Sequence, residues 1–369
     1  MRTALKTVVV AGALLALAYA QDPSFSTSVE VVNLFASVRD KSGAVVSDLQ
    51  KDDFVLKENG EQRDIRYFSR QSDLPLTIGL LVDTSMSQAG VLEEQRRASY
   101  RFLDRVLQEK DQAFVISFDF DVELLQDLTS SKPLLEKALG RLDVPGQPRM
   151  RRRISANNQF PYPGGGIPFP RRRRGPYPGG GPFPGGGGIP GGRRSPGGPG
   201  GGGGPTHMQA GGTALYDAVF LAADEVLKNQ AGRKALIVVS DGVDFGSKLS
   251  EDDAIQSVQR QDGILYSVYF ADRQGFGRRG PARDGDHVLD QMSEQTGGRL
   301  YKLSGKTTLD QVFDDIEQEL RNQYSIGFTP SPDAGPGFRR LELKTKKGGL
   351  KVSTRSGYYP AEPAETRTN

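Results

Sequence analysis

The sequence predicts an α/β fold: a doubly wound, mostly parallel sheet with helices on both faces, inserted in a β-sandwich-like domain built from both chain ends. Three observations predict it. Between residues 74 and 322, short apolar runs alternate with segments of helical spacing, the order that builds a parallel sheet covered on both sides. The flanks, 24–72 and 323–359, are β-rich instead. Each flank alone offers too few strands for an independently stable sandwich, so the two are expected to share one domain.

The first flank reads as strands. "SVEVVNLFASVRD" is followed by a turn at Lys41-Ser42-Gly43, and "DDFVLKENGEQRDIRYFS" carries Asn59-Gly60 between two strand-like runs, a strong short hairpin signal. The α/β segment opens with a buried strand, "LPLTIGLLVD". A helix follows, with apolar positions at Val91, Ala98, Phe102, Leu103, Val106 and Leu107. "QAFVISFD" is a second strand and "VELLQDLT" an edge strand. "SKPLLEKALGRL" is a helix with a serine cap and an early proline.

Residues 145–206 break the pattern. Gly, Pro and Arg dominate, and too few apolar side chains are present to offset the entropy of ordering the backbone. This segment is expected to be disordered, and its deletion to leave the melting temperature nearly unchanged. It holds ten arginines and no acid, so the rest of the chain carries −7 against a whole-chain net of +3. The basic pI is therefore local. The alternation then resumes: helix "TALYDAVFLAADEVLKN", strand "KALIVVSDG", helix "SEDDAIQSVQRQ" with Ser250 as its cap, and strand "ILYSVYFA". Helix "HVLDQMSEQTGG" ends on glycine, and strand "RLYKL" precedes the amphipathic helix "TLDQVFDDIEQELRNQ". "YSIGFTP", "FRRLELKTK" and "LKVSTRSGYY" return to β, before a loose tail at 360–369.

Residues 1–20 read as an export signal. Arg2 and Lys6 precede an apolar stretch from Val8 to Leu17, and Ala18-Tyr19-Ala20 supplies a small-x-small cut site. The expected product is secreted or periplasmic, with no transmembrane segment in the mature chain. There is no cysteine, which excludes disulfides, thiolate metal sites and thiol nucleophiles.

In open α/β sheets, ligands sit at the carboxyl ends of the strands. Asp83 ends one buried run, with Ser85 and Ser87 just beyond it; Asp241 ends another; Thr213 in "AGGTALYD" precedes a helix. Two carboxylates and three hydroxyls make an all-oxygen set suited to a hard cation such as Mg2+. Neutral hydroxyls leave a divalent ion under-neutralised, so an outside carboxylate could complete its sphere. In the bland alternative, Ser85 and Ser87 cap the next helix and the acids are solvated.

"DTSMS", Thr213 in "GGTALYDAV" and Asp241 in "VVSDG" together resemble the metal-ion-dependent adhesion site of the von Willebrand factor type A fold. The β-rich flanks are similar to the VWFA-related family of secreted bacterial proteins, and 145–206 is a departure from that family. The insert would emerge near the metal face. The resemblance implies a protein-binding module, not an enzyme, in which Mg2+ (or Mn2+ or Ca2+) engages an exposed Asp or Glu of a partner. It also implies that Ser85, Ser87 and Thr213 touch the ion directly, with Asp83 and Asp241 acting largely through water.

Other readings stay open. A metal-dependent hydrolase would need a base or nucleophile beside the ion, and none stands at a recognisable spacing. A scaffold could bind anionic polymers through Arg171, Arg172, Arg173 and Arg174, with aromatics nearby; nucleic acid is not the expected target of an exported chain. Asp119 and Asp121 read as solvated strand-end acids. His207 and His287 lack partners at ligand spacing.

Overall fold

The computed structural model describes residues 31–70, 74–143, 213–270, 285–304, 306–331 and 337–360. The export signal, the insert with Arg171–Arg174 and His207, and the tail lie outside the described residues.

Strands β1 (Val32–Arg39), β2 (Phe54–Glu58), β3 (Glu61–Arg63) and β4 (Ile65–Arg70) come from the first flank. The α/β segment runs β5 (Leu76–Asp83), α1 (Leu92–Val106), β6 (Gln112–Phe118), β7 (Val122–Thr129) and α2 (Lys132–Leu139), then α3 (Leu215–Leu221) and β8 (Arg233–Ser240). It continues with α4 (Glu251–Arg260), β9 (Gly263–Tyr269), α5 (Gly285–Thr296), β10 (Leu300–Lys302) and α6 (Leu309–Arg321). The second flank gives β11 (Tyr324–Phe328), β12 (Arg339–Thr345), β13 (Lys351–Ser353) and β14 (Gly357–Tyr358).

The six-stranded sheet has the order β10-β9-β8-β5-β6-β7. All its pairings are parallel except the edge, where β7 runs antiparallel to β6. All eight residues of β5 are buried, because both faces are covered, which is why its sequence is continuously apolar rather than alternating. Ile78, Leu80 and Val82 pack with Phe102 of α1 and Phe313 of α6. Leu81 faces the other way, into a core with Leu215, Val258 and Leu289. The Phe102 and Phe313 rings stack at 4.7 Å. On the opposite face Gly79 is required, because a Cβ there would lie 2.3 Å from Phe114 and 2.6 Å from Leu236.

The flanks are interleaved. One four-stranded sheet has the order β13-β1-β11-β4 and a second β14-β12-β2-β3, so each contains strands from both chain ends. Leu34, Leu56, Tyr324, Ile326, Phe328, Leu341 and Leu343 fill one core between them. This is the sandwich the sequence predicts. Asn59 and Gly60 turn the β2–β3 hairpin with φ of 50° and 89°, the left-handed pair such a turn needs.

Two local expectations meet different outcomes. Ser250 caps α4 as expected, its side chain accepting a hydrogen bond from the Asp253 N–H in a reciprocal capping box. Ser131 occupies the N-cap position of α2, but its side chain makes no capping bond. Its carbonyl receives the Leu134 and Leu135 N–H groups instead. The helix beginning at Leu215 also departs from a single α-helix, widening into π geometry over Ala222–Leu227.

Candidate metal centre

Asp83 is the last residue of β5 and has no exposed surface. Its Oδ1 accepts the Ser85 N–H at 2.9 Å, which folds the chain back over the strand end. Its Oδ2 accepts the Ser240 hydroxyl at 2.6 Å. Ser240 in turn accepts the Gly242 N–H at 3.0 Å, so Asp83 and the Asp241 loop are tied through one hydroxyl. Burial pushes the Asp83 carboxyl up to about 6. The Ser240 and Ser85 hydrogen bonds oppose that rise, and the nearby charge of Asp241 adds to it. Among the described residues, no lysine, arginine or histidine forms an ion pair with Asp83 or Asp241.

The Ser85 and Ser87 hydroxyls lie 2.9 Å apart. Ser87 Oγ also accepts Gln88 Nε2 at 3.4 Å, and Gln88 Oε1 accepts Gln95 Nε2 at 3.1 Å. Gln88 and Gln95 are 1% and 0% exposed. They form a buried polar prop, running from α1 up to the serine loop.

Thr213 is buried just ahead of α3 and reaches the same strand ends through its backbone. Thr84 N–H donates to Phe118 O, and Ala214 N–H donates to Asp119 O at 2.7 Å. On its other side, the Thr213 carbonyl accepts the Phe245 and Gly246 N–H groups, each at 3.1 Å. The Thr213 loop is thus stitched between the loops after β6 and β8. Asp244 holds the start of α3 by accepting the Leu215 N–H.

An antiparallel edge strand on an otherwise parallel sheet of this order, with Asp-x-Ser-x-Ser at the carboxyl end of its central strand β5, decides the fold. It is an α/β fold like that of von Willebrand factor type A domains. Of the five predicted oxygen donors, Asp83 ends β5, Ser85 and Ser87 follow it, Asp241 follows β8, and Thr213 stands just ahead of α3. No group of three or more His, Cys, Asp or Glu stands at metal-binding spacing among the described residues. The five predicted donors include only two carboxylates and so fall outside such a grouping.

No family model and no curated protein matches the chain. Several solved structures do. A conserved hypothetical protein, BatB from Bacteroides thetaiotaomicron, is 14% identical over 66% of this chain and 97% of its own, with a TM-score of 0.40. A von Willebrand factor type A protein from Catenulispora acidiphila is 11% identical, covering 89% of this chain and 73% of its own, at 0.42. Proximal thread matrix protein 1 from the mussel byssus, with a zinc-occupied MIDAS motif, is 13% identical over 70% and 48%, at 0.41. At these scores the likeness carries no argument, and the fold assignment rests on the sheet order and the strand-end residues.

Three residues of this centre were not singled out in the sequence. Ser240 sits beside Asp241 in "VVSDG", but only the β5–β8 register, Val82 opposite Val239, sets it against Asp83. Gln88 ends the short 3-10 turn Met86–Gln88, and Gln95 lies on the buried face of α1. Polar residues at core spacing were the available signal. Asp119 and Asp121 form a tight turn, with Asp119 Oδ1 accepting the Asp121 N–H at 2.9 Å, and Asp119 contributes its carbonyl rather than its carboxylate. His287 lies at the start of α5.

Proposed function

We propose that the chain is a secreted or periplasmic adhesion-type module that binds a partner protein through a divalent ion. Asp83, Ser85, Ser87, Thr213 and Asp241 would hold Mg2+ (or Mn2+ or Ca2+). The observation that carries this reading is Asp83 itself. A carboxylate without exposed surface stands next to a second carboxylate, with no basic side chain paired to either among the described residues. Such a group is costly to bury uncompensated. A cation beside it removes that cost, and hydroxyl oxygens are the ligands hard cations take. With three neutral hydroxyls as its direct protein ligands and both acids acting through water, the ion would keep an open position and unneutralised charge in its inner sphere, which attracts an Asp or Glu of a partner.

The test pairs metal binding with capture. Calorimetry should show the wild-type chain binding Mg2+, and Asp83→Ala losing that heat while keeping a native circular dichroism spectrum. Proteins captured from the native cell envelope in Mg2+ should be released by EDTA. Capture by Asp83→Ala at the wild-type level, or capture indifferent to EDTA, rejects the reading. Thr213→Ala should weaken capture less completely, since it removes a neutral donor and no charge.

A further inference from the structure

We infer that the partner's acidic residue is presented between large apolar side chains, because the candidate metal centre is bordered by an apolar collar. This inference rests on the metal-dependent reading above and narrows the partner it admits. Seven large hydrophobic side chains are exposed among the described residues, and three of them, Met86, Phe120 and Phe245, belong to the loops that build the centre. They are 65%, 59% and 64% exposed.

Their placement follows from the hydrogen bonds already described. Met86 lies between Ser85 and Ser87. Phe120 is the tip of the turn closed by Asp119 N–H to Asp121 O, and the Asp119 carbonyl holds Ala214. The Phe245 N–H is bonded to the Thr213 carbonyl. Each aromatic or thioether group thus stands at or next to a residue that contacts a proposed ligand position or its neighbour. They sit on three separate loops, and no local sequence rule requires apolar side chains in any of them.

Charge fixes the rest of the partner's chemistry. The loops carry Asp119, Asp121, Asp241 and Asp244 around the same strand ends, so an acidic segment would be repelled everywhere except at the ion. One carboxylate with apolar neighbours satisfies both constraints: the acid meets the cation, and its neighbours cover Met86, Phe120 and Phe245. Exposed methionine and phenylalanine at a binding surface supply adaptable area and anchoring contacts. The insert cannot serve as its own occupant here, since residues 145–206 contain no Asp or Glu.

The experiment uses the full chain, immobilised in Mg2+, to select from a random twelve-residue peptide library displayed on phage, with elution by EDTA. Eluted clones should share an Asp or Glu with Phe, Trp, Leu or Met within two positions of it. The M86S/F120S/F245S variant alters only exposed side chains. It should bind Mg2+ as wild type does by calorimetry, yet retain those clones at least tenfold less. Eluted clones with acids but no apolar neighbours would overturn the inference, as would equal retention by the variant, or intact Mg2+ binding with no EDTA-eluted clones. Absence of Mg2+ binding by the wild-type chain would instead remove the reading on which the inference stands.

Discussion

Arg39 of β1 reaches Glu319 of α6 across the boundary between the sandwich and the α/β segment, Nη2 to Oε2 at 2.8 Å, with Glu319 wholly buried. Ser37 donates its hydroxyl to the other Glu319 oxygen, and Tyr301 OH donates to Oε2 at 3.0 Å. A second tie joins the C-terminal strands to the helices: Arg355 donates to Asn33 O at 2.7 Å and pairs with Asp262, and Ser356 N–H donates to Gln295 O. Removing one member of a buried pair leaves the other charge stranded. Glu319→Ala should therefore lose about 3–5 kcal/mol in urea unfolding. The wild-type protein should unfold in a single transition by fluorescence and circular dichroism together, because the two segments share these buried groups.

The Gln88–Gln95 prop gives a second prediction. It holds Ser87 without belonging to the proposed donor set. Gln88→Leu should keep the fold and lower Mg2+ affinity about tenfold, the scale of a group that orients a ligand. Gln95→Leu acts one bond further away and should have a smaller effect in the same calorimetric titration.

Gly242 follows Asp241 with φ of +73°, and a Cβ there would lie 2.1 Å from the Gly285 carbonyl oxygen. Gly242→Ala combines a left-handed backbone with a clash against main chain that cannot rotate away. It should cost about 1–3 kcal/mol by thermal denaturation and weaken Mg2+ binding as well, because relief of the clash moves the Asp241 loop.

Acid should destabilise the sandwich through Glu58. Burial raises the pKa of this carboxyl, but hydrogen bonds from Tyr358 OH, the Ser331 N–H and Arg63 outweigh it and hold it below its ordinary value of 4.5. A group whose pKa is depressed by folding contributes stability that is complete above its unfolded pKa and is lost as pH falls through the folded one. Stability measured from pH 7 downward should hold to about pH 5 and then decline. Glu58→Gln should lower stability at pH 7 and flatten the acid decline.

Most of this architecture was legible because its signals are local. The continuously apolar β5, the alternation up to residue 322 and the Asn59-Gly60 hairpin each state their own structure. The Asp-x-Ser-x-Ser stretch could be placed at a strand end from sequence alone. What could not be read depends on register and distance. Ser240 meets Asp83 only once β5 and β8 are aligned, and Arg39 finds Glu319 only after the flanks have interleaved. Ser131 shows the converse limit: a residue of the right type can occupy a cap position and leave its side chain unused, because the sequence does not determine its rotamer.

The pairing of β4 with β11 sets how the protein would bear a load. Arg70, the last residue of β4, lies opposite Tyr324, the first of β11, and Arg233 donates to the carbonyls of both Leu74 and Leu320. Entry and exit are thus clasped together at the amino end of the parallel strands, opposite the candidate centre. Tension from a captured partner would run down the sheet and divide between two adjacent strands pulled in the same direction. That geometry shears β11 against β1 along its five paired residues, so the hydrogen bonds would resist as a group rather than break one after another. If the chain is the adhesion-type module proposed above, an attachment built this way would resist traction better than its equilibrium stability alone would indicate.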